Sequence, residues 1–300
     1  MLTLLLVGML TLALNVQPVK ASGTVHNIDT GEDFPSIQEA IDDPDTVDGH
    51  TICADSGTYI EEVVVYKSLK LIGENPENTI VKGITRMEFL FRITVSDVAI
   101  EGFTIQDGHH AVHASSPQYD YLDNITIENN IIMGNNVGVL ISRPRYCTVE
   151  ENEIVGNRGA VILSGTRLEP GLDNTIICNL VTNQEWSSID IMWCLNTEVA
   201  GNTISFNSGE ETYYSGLGLW DSNNTIAYHN SFVENVNQLY IEESYDTVWD
   251  NGYPSGGNYW SDYSSIDDYH GEDQDVLGGD AIWYSPYVID ECNQDSYPLV

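Results

Sequence analysis

The chain has 300 residues, with 46 acidic and 10 basic side chains and a formal net charge of −36. Such a charge repels nucleic-acid phosphates and anionic lipid surfaces, so neither is an expected partner. Hydrophobic residues make up 42% of the chain, enough for a sizeable core. A single globular domain is usually shorter, whereas a repeat protein reaches this length by adding units.

The first predicted element is an N-terminal apolar run from Leu2 to Leu14. It is too short for an ordinary membrane span, and Val19-Lys20-Ala21 offers small residues suited to cleavage. Residues 1–21 are therefore predicted to form a signal peptide, or to remain as an anchor. We expect a secreted or cell-surface protein with no transmembrane span beyond this segment.

Residues 22–50 are predicted to form an N-terminal cap that contains a helix. Phe34, Ile37, Ala40 and Ile41 recur at helical spacing, and Ser36 is suited to the N-cap position. Such a helix would cover the open end of a stack of strands.

Residues 51–252 carry an internal repeat in which an asparagine is followed two positions later by an apolar residue and then by a second asparagine, such as Asn157 or Asn183. The leading asparagines lie 22, 27, 23, 28 and 21 residues apart, a spacing typical of solenoid proteins. They are Asn130, Asn152, Asn179, Asn202, Asn230 and, in a partial copy, Asn251. An apolar residue stands three positions before the leading asparagine of most units. In the unit of Asn230 we expect Ile226 to be this inward residue, if that coil has one extra residue.

An alternating apolar pair follows the second asparagine of each unit, as in Val139 and Ile141 or Ile189 and Ile191. Alternation with a period of two indicates short strands with one buried face. Asparagine tolerates left-handed backbone and can bond to the same amide one unit away. The sequence therefore predicts an all-β protein, a parallel β-helix solenoid of roughly nine coils.

The outward residues between the paired apolar positions are predicted to stack into one column. This column contains His113, Leu140, Ile162, Asp190, Gly218 and Tyr240, and just beyond it lie Arg143, Trp193, Trp220, Glu242 and Glu243. Aromatic rings beside carboxylates and an arginine suit a sugar-binding groove. The predicted ligand-binding residues are His113, Arg143, Asp190, Trp193, Trp220, Tyr240 and Glu242.

Asp190 is the candidate catalytic residue. Glycoside hydrolysis requires two carboxyl groups roughly 5 to 9.5 Å apart, and the column neighbours of Asp190 are Ile162 and Gly218. A loop acid such as Asp221 would have to complete the pair. His109, His110 and His113 form the densest group of histidines, which predicts either a metal site or a solvated turn.

The C-terminal residues 253–300 are predicted to form an irregular aromatic and acidic cap. Closely spaced acids in such a loop can organise around calcium, although the EF-hand order is absent. The predicted calcium ligands are Asp273, Asp275 and Asp280, and no other cofactor is expected.

Several motifs give the chain a family resemblance that covers nearly all of the predicted mature protein. They are the asparagine repeats, Phe34-Pro-Ser-Ile-Gln-Glu-Ala-Ile41, Gly57-Thr-Tyr-Ile-Glu-Glu62, Ser68-Leu-Lys-Leu-Ile-Gly73, and the ending from Gly256-Gly-Asn-Tyr-Trp-Ser-Asp-Tyr263 to Tyr297-Pro-Leu299. The chain resembles the right-handed parallel β-helix proteins of the pectin-lyase-like superfamily, especially NosD-type repeat proteins found among secreted archaeal surface proteins.

This superfamily includes polysaccharide lyases, hydrolases and proteins without known activity, so the fold leaves the function open. The resemblance is compatible with an exported, non-catalytic protein that binds polysaccharide or cell-surface glycan. A polysaccharide lyase or glycoside hydrolase is one alternative, and a structural surface-layer protein is another. The NosD name also suggests copper, for which Met87, Met133 and Met192 are too scattered to form a soft-ligand cluster.

Overall fold

The computed structural model describes residues 23–85 and 89–300. The predicted signal peptide and Met87 lie outside these residues. From Thr51 onward the chain winds into coils whose strands stack into three long sheets, here named A, B and C.

Sheet A receives the first strand of each coil and continues the antiparallel N-terminal hairpin. In chain order its strands are Val25–Asn27, Glu32–Phe34, Thr51–Ala54, Lys70–Gly73, Val98–Glu101, Ile125–Glu128, Thr148–Glu150, Thr175–Ile177, Glu198–Ala200 and Ile226–Tyr228. All strands from Thr51–Ala54 onward are parallel, as a coiled solenoid requires.

Sheet B receives the second strand of each coil, and all its pairings are parallel. Its strands are Gly57–Tyr59, Thr79–Lys82, Thr104–Gln106, Ile131–Met133, Glu153–Val155, Leu180–Thr182, Thr203–Ser205, Ser231–Val233 and Tyr259–Trp260.

Sheet C receives the third strand of each coil. Its strands are Val63–Val65, Phe89–Ile93, His110–Ala114, Val137–Ser142, Gly159–Ser164, Ile189–Met192, Leu217–Trp220 and Leu239–Glu242. Four middle coils add a short fourth sheet, sheet D, with strands Leu122–Asp123, Pro144–Arg145, Gly171–Leu172 and Cys194–Leu195.

Eight coils of the described chain therefore have strands in all three long sheets, and a ninth contributes only Tyr259–Trp260. This parallel β-helix confirms the predicted fold class and the predicted number of coils. Each sheet turns its apolar side chains inward, and together they form one continuous core.

The N-terminal cap contains the predicted helix, Ile37–Asp42. The Ser36 hydroxyl accepts a hydrogen bond from Glu39 N at 3.1 Å and satisfies one free amide of the first turn. The Glu61 carboxylate accepts bonds from the backbone N–H groups of Ile37 and Gln38, each at 3.0 Å. Because Glu61 belongs to the first coil, these bonds fix the helix over the end of the core.

One inward position differs from the prediction. Ala227, and not Ile226, pairs with Val199 and is fully buried, while Ile226 is 43% exposed. Ala227 stands three residues before Asn230, so this coil keeps the repeat's spacing with a smaller side chain and has no extra residue at this position.

Buried asparagines form the predicted ladder between coils. Asn179 is typical: its Nδ2 donates to Val149 O, Ile177 O and Asn202 Oδ1, and its Oδ1 accepts from Asn152 N at 3.0 Å. The first ladder consists of Asn130, Asn152, Asn179, Asn202, Asn230 and Asn258. A second ladder consists of Asn135, Asn157, Gln184, Asn207 and Asn235.

Two ladder positions correct the sequence analysis. Gln184, with a longer side chain, replaces Asn183, which is exposed in left-handed backbone at φ 58°. Asn251 bonds to Ser255 in a turn, and this turn moves the last ladder position to Asn258. The predicted C-terminal cap, residues 253–300, therefore includes a strand of sheet B.

The chain then folds back over the last coil through two hairpins, which pair Tyr269–His270 with Val276–Leu277 and Tyr287–Val288 with Gln294–Asp295. Asp295 is fully buried, and its Oδ2 accepts bonds from Asn258 N at 2.7 Å and Trp260 Nε1 at 2.9 Å. Trp260 stacks between Phe232 and Tyr287, with ring centroids 4.5 and 4.3 Å away. Asp295 thus takes the place of the next ladder residue.

We expect Asn179→Ala to lower the free energy of unfolding by about 3–5 kcal/mol, because it leaves several buried backbone groups without partners at about 1–3 kcal/mol each. The matched control is Asn78→Ala, which should change it by less than about 0.5 kcal/mol, since that side chain is exposed and lies outside both ladders. Urea unfolding of both variants measures the difference. Equal losses would show that the ladder does not carry this stability.

Candidate functional site

The outward column on sheet C lies where the sequence analysis placed it. The strand pairings stack His113 on Leu140, Leu140 on Ile162, Ile162 on Asp190, Asp190 on Gly218 and Gly218 on Tyr240. Each step follows from two adjacent parallel strands in register, so neighbouring members are about 4.8 Å apart.

Asp190 is the acidic member of this column, and its half-buried carboxyl faces Gly218. A Cβ atom at Gly218 would collide with Asp190 Oδ1, so glycine leaves the room that the carboxyl occupies. Trp220 Nε1 approaches Asp190 Oδ1 at 3.4 Å, a long hydrogen bond. Burial raises the pKa of Asp190 to about 6, although hydrogen bonds from Trp220 and Ser187 oppose the shift.

Trp220 belongs to a chain of five aromatic rings in mutual contact, here named the aromatic cluster: Trp186, Tyr213, Tyr214, Trp220 and Tyr240. Successive ring centroids are 6.1 Å apart for Trp186 and Tyr214, 4.6 Å for Tyr214 and Tyr213, 6.4 Å for Tyr213 and Trp220, and 4.6 Å for Trp220 and Tyr240. Trp186 and Tyr213 are 39% and 40% exposed, so rings of the cluster remain open to a ligand.

Glu242 completes this group. It pairs with Trp220 in the register of sheet C, and its Oε2 accepts a bond from the Tyr240 hydroxyl at 2.8 Å. Four predicted ligand-binding residues, Asp190, Trp220, Tyr240 and Glu242, therefore share one surface.

The other three predicted ligand-binding residues lie elsewhere. His113 is three coils from Asp190 and stacks on Phe89, with ring centroids 4.9 Å apart. Arg143 is bound to Glu169, with 2.7 Å between Nε and Oε2. Trp193 occupies the left-handed corner after sheet C, at φ 47°, and lines a separate groove.

Sequence reasoning missed Trp186, Tyr213 and Tyr214. The two tyrosines lie on the connection 206–216, which lengthens the interval from Asn202 to Asn230 to 28 residues, against 23 for the preceding interval. A long interval that contains adjacent tyrosines is the signal that could have identified them, since binding residues concentrate on loops.

The acidic residues of the C-terminal cap do not gather as a cation site requires. In the described chain, the three carboxylates that come within metal-binding distance of one another are Glu32, Asp43 and Asp45, not Asp273, Asp275 and Asp280. Asp280 instead accepts a bond from Gln274 Nε2 at 3.1 Å. Calcium binding by the C-terminal acids stays a prediction that this geometry does not support.

The stacked coils and the outward site define the class of this molecule, a parallel β-helix repeat protein. The family described as "Periplasmic copper-binding protein (NosD)" matches residues 45–265, and the chain belongs to this family. The predicted export from the cytoplasm agrees with the family's description. No helix among the described residues is long and apolar enough to cross a bilayer.

The chain is also similar to a cell surface glycoprotein of Methanothermus fervidus, at 31% identity over 129 residues. This match covers 43% of the present chain and 21% of that protein, about a fifth of its length.

Two solved structures are similar at low identity. The alginate lyase from Paenibacillus sp. str. FPU-7 has a TM-score of 0.42 at 9% identity, over 74% of this chain and 94% of that one. The A-module of the Azotobacter vinelandii mannuronan C-5 epimerase has a TM-score of 0.39 at 13% identity, over 69% and 74%.

The described residues do not fit a copper site. His109, His110 and His113 all contact the Phe89 ring, with centroids 4.9 to 5.5 Å away, and do not bring three ligand atoms around one point. Burial lowers the pKa of His110 to about 3 and also lowers that of His113. Met133 and Met192 lie on different sheets, so they add no soft ligand pair.

We expect Asp190→Asn to stabilise the fold at pH 7. Burial raises the pKa of Asp190 from 3.8 to about 6, so the folded state binds this proton more tightly than the unfolded state. The free energy of unfolding therefore falls as pH rises from about 4 to 6 and the carboxyl becomes charged. The full shift corresponds to about 3 kcal/mol, and we expect about 1–2 kcal/mol because part of the side chain reaches solvent.

The measurement is chemical denaturation of Asp190→Asn at several pH values. The gain should shrink toward zero below pH ~3, where the carboxyl is protonated in both states. Asp268→Asn, at an exposed acid, is the matched control and should stay within about 0.5 kcal/mol of the wild type. An asparagine variant less stable at pH 7 would contradict the cost assigned to Asp190.

Proposed function

We propose that this exported β-helix protein binds a polysaccharide or cell-surface glycan at the aromatic cluster around Asp190. The observation that carries the proposal is the Asp190 carboxyl, of raised pKa, held against the Trp220 indole, which belongs to a chain of five contacting aromatic rings, two of them exposed.

The chemistry of the cluster suits a sugar ring. The faces of Trp and Tyr rings pack on the C–H faces of a sugar, and a carboxylate accepts hydrogen bonds from its hydroxyls. Asp190 and Glu242 provide such acceptors beside the rings. The cluster spans three successive coils, and the register of sheet C fixes the positions of Asp190, Trp220 and Tyr240, which reduces the entropy lost on binding.

The likeness to a cell surface glycoprotein supports a place at the cell surface. A net charge of −36 favours a neutral glycan as the occupant of the aromatic cluster, because Asp190 and Glu242 add further negative charge there.

We expect Trp220→Ala and Tyr213→Ala each to weaken glycan retention by at least about tenfold, since truncating a central aromatic at a binding site typically costs about 2 kcal/mol. A glycan array followed by affinity electrophoresis on the best polymer measures the effect. The matched control is Tyr146→Ala, an exposed tyrosine outside the cluster. Unchanged retention in both cluster variants would assign binding to another face.

We expect glycan affinity to fall as pH drops from 7 to 5. Protonation of Asp190 near pH 6 replaces a charged acceptor by a weaker neutral one, a loss of about 1 kcal/mol or fivefold in Kd. Titration calorimetry at both pH values tests this, and Asp190→Asn should bind with no transition near pH 6. A transition that persists in the asparagine variant would assign the titration to another group.

A second candidate function is polysaccharide cleavage, favoured by the raised pKa of Asp190, which would let the carboxyl exchange a proton near neutral pH. Its stacking neighbours are Ile162 and Gly218, so no carboxyl lies in the adjacent coils of the column. Incubation with a polysaccharide panel, with and without calcium, separates the two. Released oligosaccharide that Asp190→Asn abolishes would establish an enzyme, and retention alone a binding protein.

A further inference from the structure

Arg167 is the one basic residue in the described chain whose charge has no partner. The other seven described cations are Lys67, which binds three backbone carbonyls, and the ion-paired Lys70, Lys82, Arg92, Arg143, Arg145 and Arg158. The chain has 46 acidic residues that could pair with a cation, yet the Arg167 guanidinium contacts none of those in the described chain. Packing within the fold gives no reason for this arginine.

The loop that presents Arg167 is held in place. Thr166 and Glu169 exchange two backbone hydrogen bonds, at 2.9 and 3.2 Å, and the Thr166 hydroxyl accepts another from Glu169 N. Arg143 binds the Glu169 carboxylate from the preceding coil. Arg167 and Leu168 therefore form the tip of a fixed turn, and Leu168 is 91% exposed.

Arg167 lines an open groove of about 240 Å³ together with Trp193, Asp221 and Asn223. The groove is smaller than the ~300–1,000 Å³ pockets that take drug-sized ligands, so it suits a single sugar residue. Trp193 and Asp221 are corner residues of adjacent coils, each in left-handed backbone, at φ 47°. Such corners turn the chain away from the outward face of sheet C, where the aromatic cluster lies.

We propose that this groove is a second saccharide site, specific for a sugar residue that carries a carboxylate. The planar guanidinium of Arg167 pairs with a carboxylate through two parallel hydrogen bonds. The Trp193 ring provides a stacking face, and Asp221 and Asn223 provide polar groups for the hydroxyls. The excess of acidic residues on the rest of the surface repels a carboxylated sugar. The unpaired Arg167 therefore favours binding of that sugar in this groove.

This inference goes beyond the glycan site proposed above and does not depend on it. The aromatic cluster presents rings and carboxylates without a cation and favours a neutral sugar, whereas the groove presents a ring, the Asp221 carboxyl and an unpaired cation. A polymer that contains both neutral and acidic residues could contact both surfaces.

The test is titration calorimetry of the full chain with tri-galacturonate and with the neutral maltotriose, at about 0.15 M salt to screen long-range repulsion. Wild type should bind tri-galacturonate, and Arg167→Gln and Trp193→Ala should each weaken that binding at least about tenfold. Arg167→Lys should retain part of the affinity, because it keeps the charge without the fork. Lys82→Gln, which removes one paired charge, is the matched control and should stay within about twofold.

The remaining outcomes overturn the proposal. Failure of the wild type to bind tri-galacturonate excludes a carboxylated sugar from the groove. Binding that survives in Arg167→Gln but is lost in Trp220→Ala would place it in the aromatic cluster. The two proposals fail separately, because unchanged neutral-glycan retention in the cluster variants would overturn only the glycan site at the aromatic cluster.

Discussion

The register between neighbouring coils is the constraint on which the rest of this molecule depends. Parallel strands alone could slip, and a slip of one residue would exchange the inward and outward side chains of a whole strand. The buried amides prevent this, because each asparagine must meet both the backbone N–H and the amide of the adjacent coil. The apolar core supplies the larger part of the driving force, and the amides select one arrangement of it.

The same register builds the candidate site. Asp190 can face Trp220 because Gly218 is stacked beside it, and Glu242 reaches Tyr240 because one strand carries both residues two positions apart. The connections between strands are free of this constraint, so they can lengthen without disturbing the core. These connections supply Tyr213 and Tyr214 on one surface and Arg167 on another. The candidate ligand-binding side chains are therefore carried by loops that the stacked strands hold in place.

This division also explains what the sequence could predict. The column from His113 to Tyr240 follows from a period of two and a fixed repeat length, and both can be counted along the chain. Gln184 and Asn258 were missed because a ladder position requires a side-chain amide that meets the amide of the adjacent coil. That requirement fixes neither the residue type nor the spacing along the chain. The pairing of Arg143 with Glu169 and the clustering of Trp186 with Tyr214 depend on how loops fold, which repeat periodicity does not encode.

Asp295 has a consequence for the length of the molecule. An amide both accepts and donates, so a ladder of asparagines could be extended by a further coil or by the first coil of another copy, as in a fibril. A carboxylate only accepts, and the oxygens of Asp295 accept hydrogen bonds from Asn258, Trp260 and Tyr297. A carboxylate at this position therefore ends the amide ladder, because it offers no N–H to a further coil.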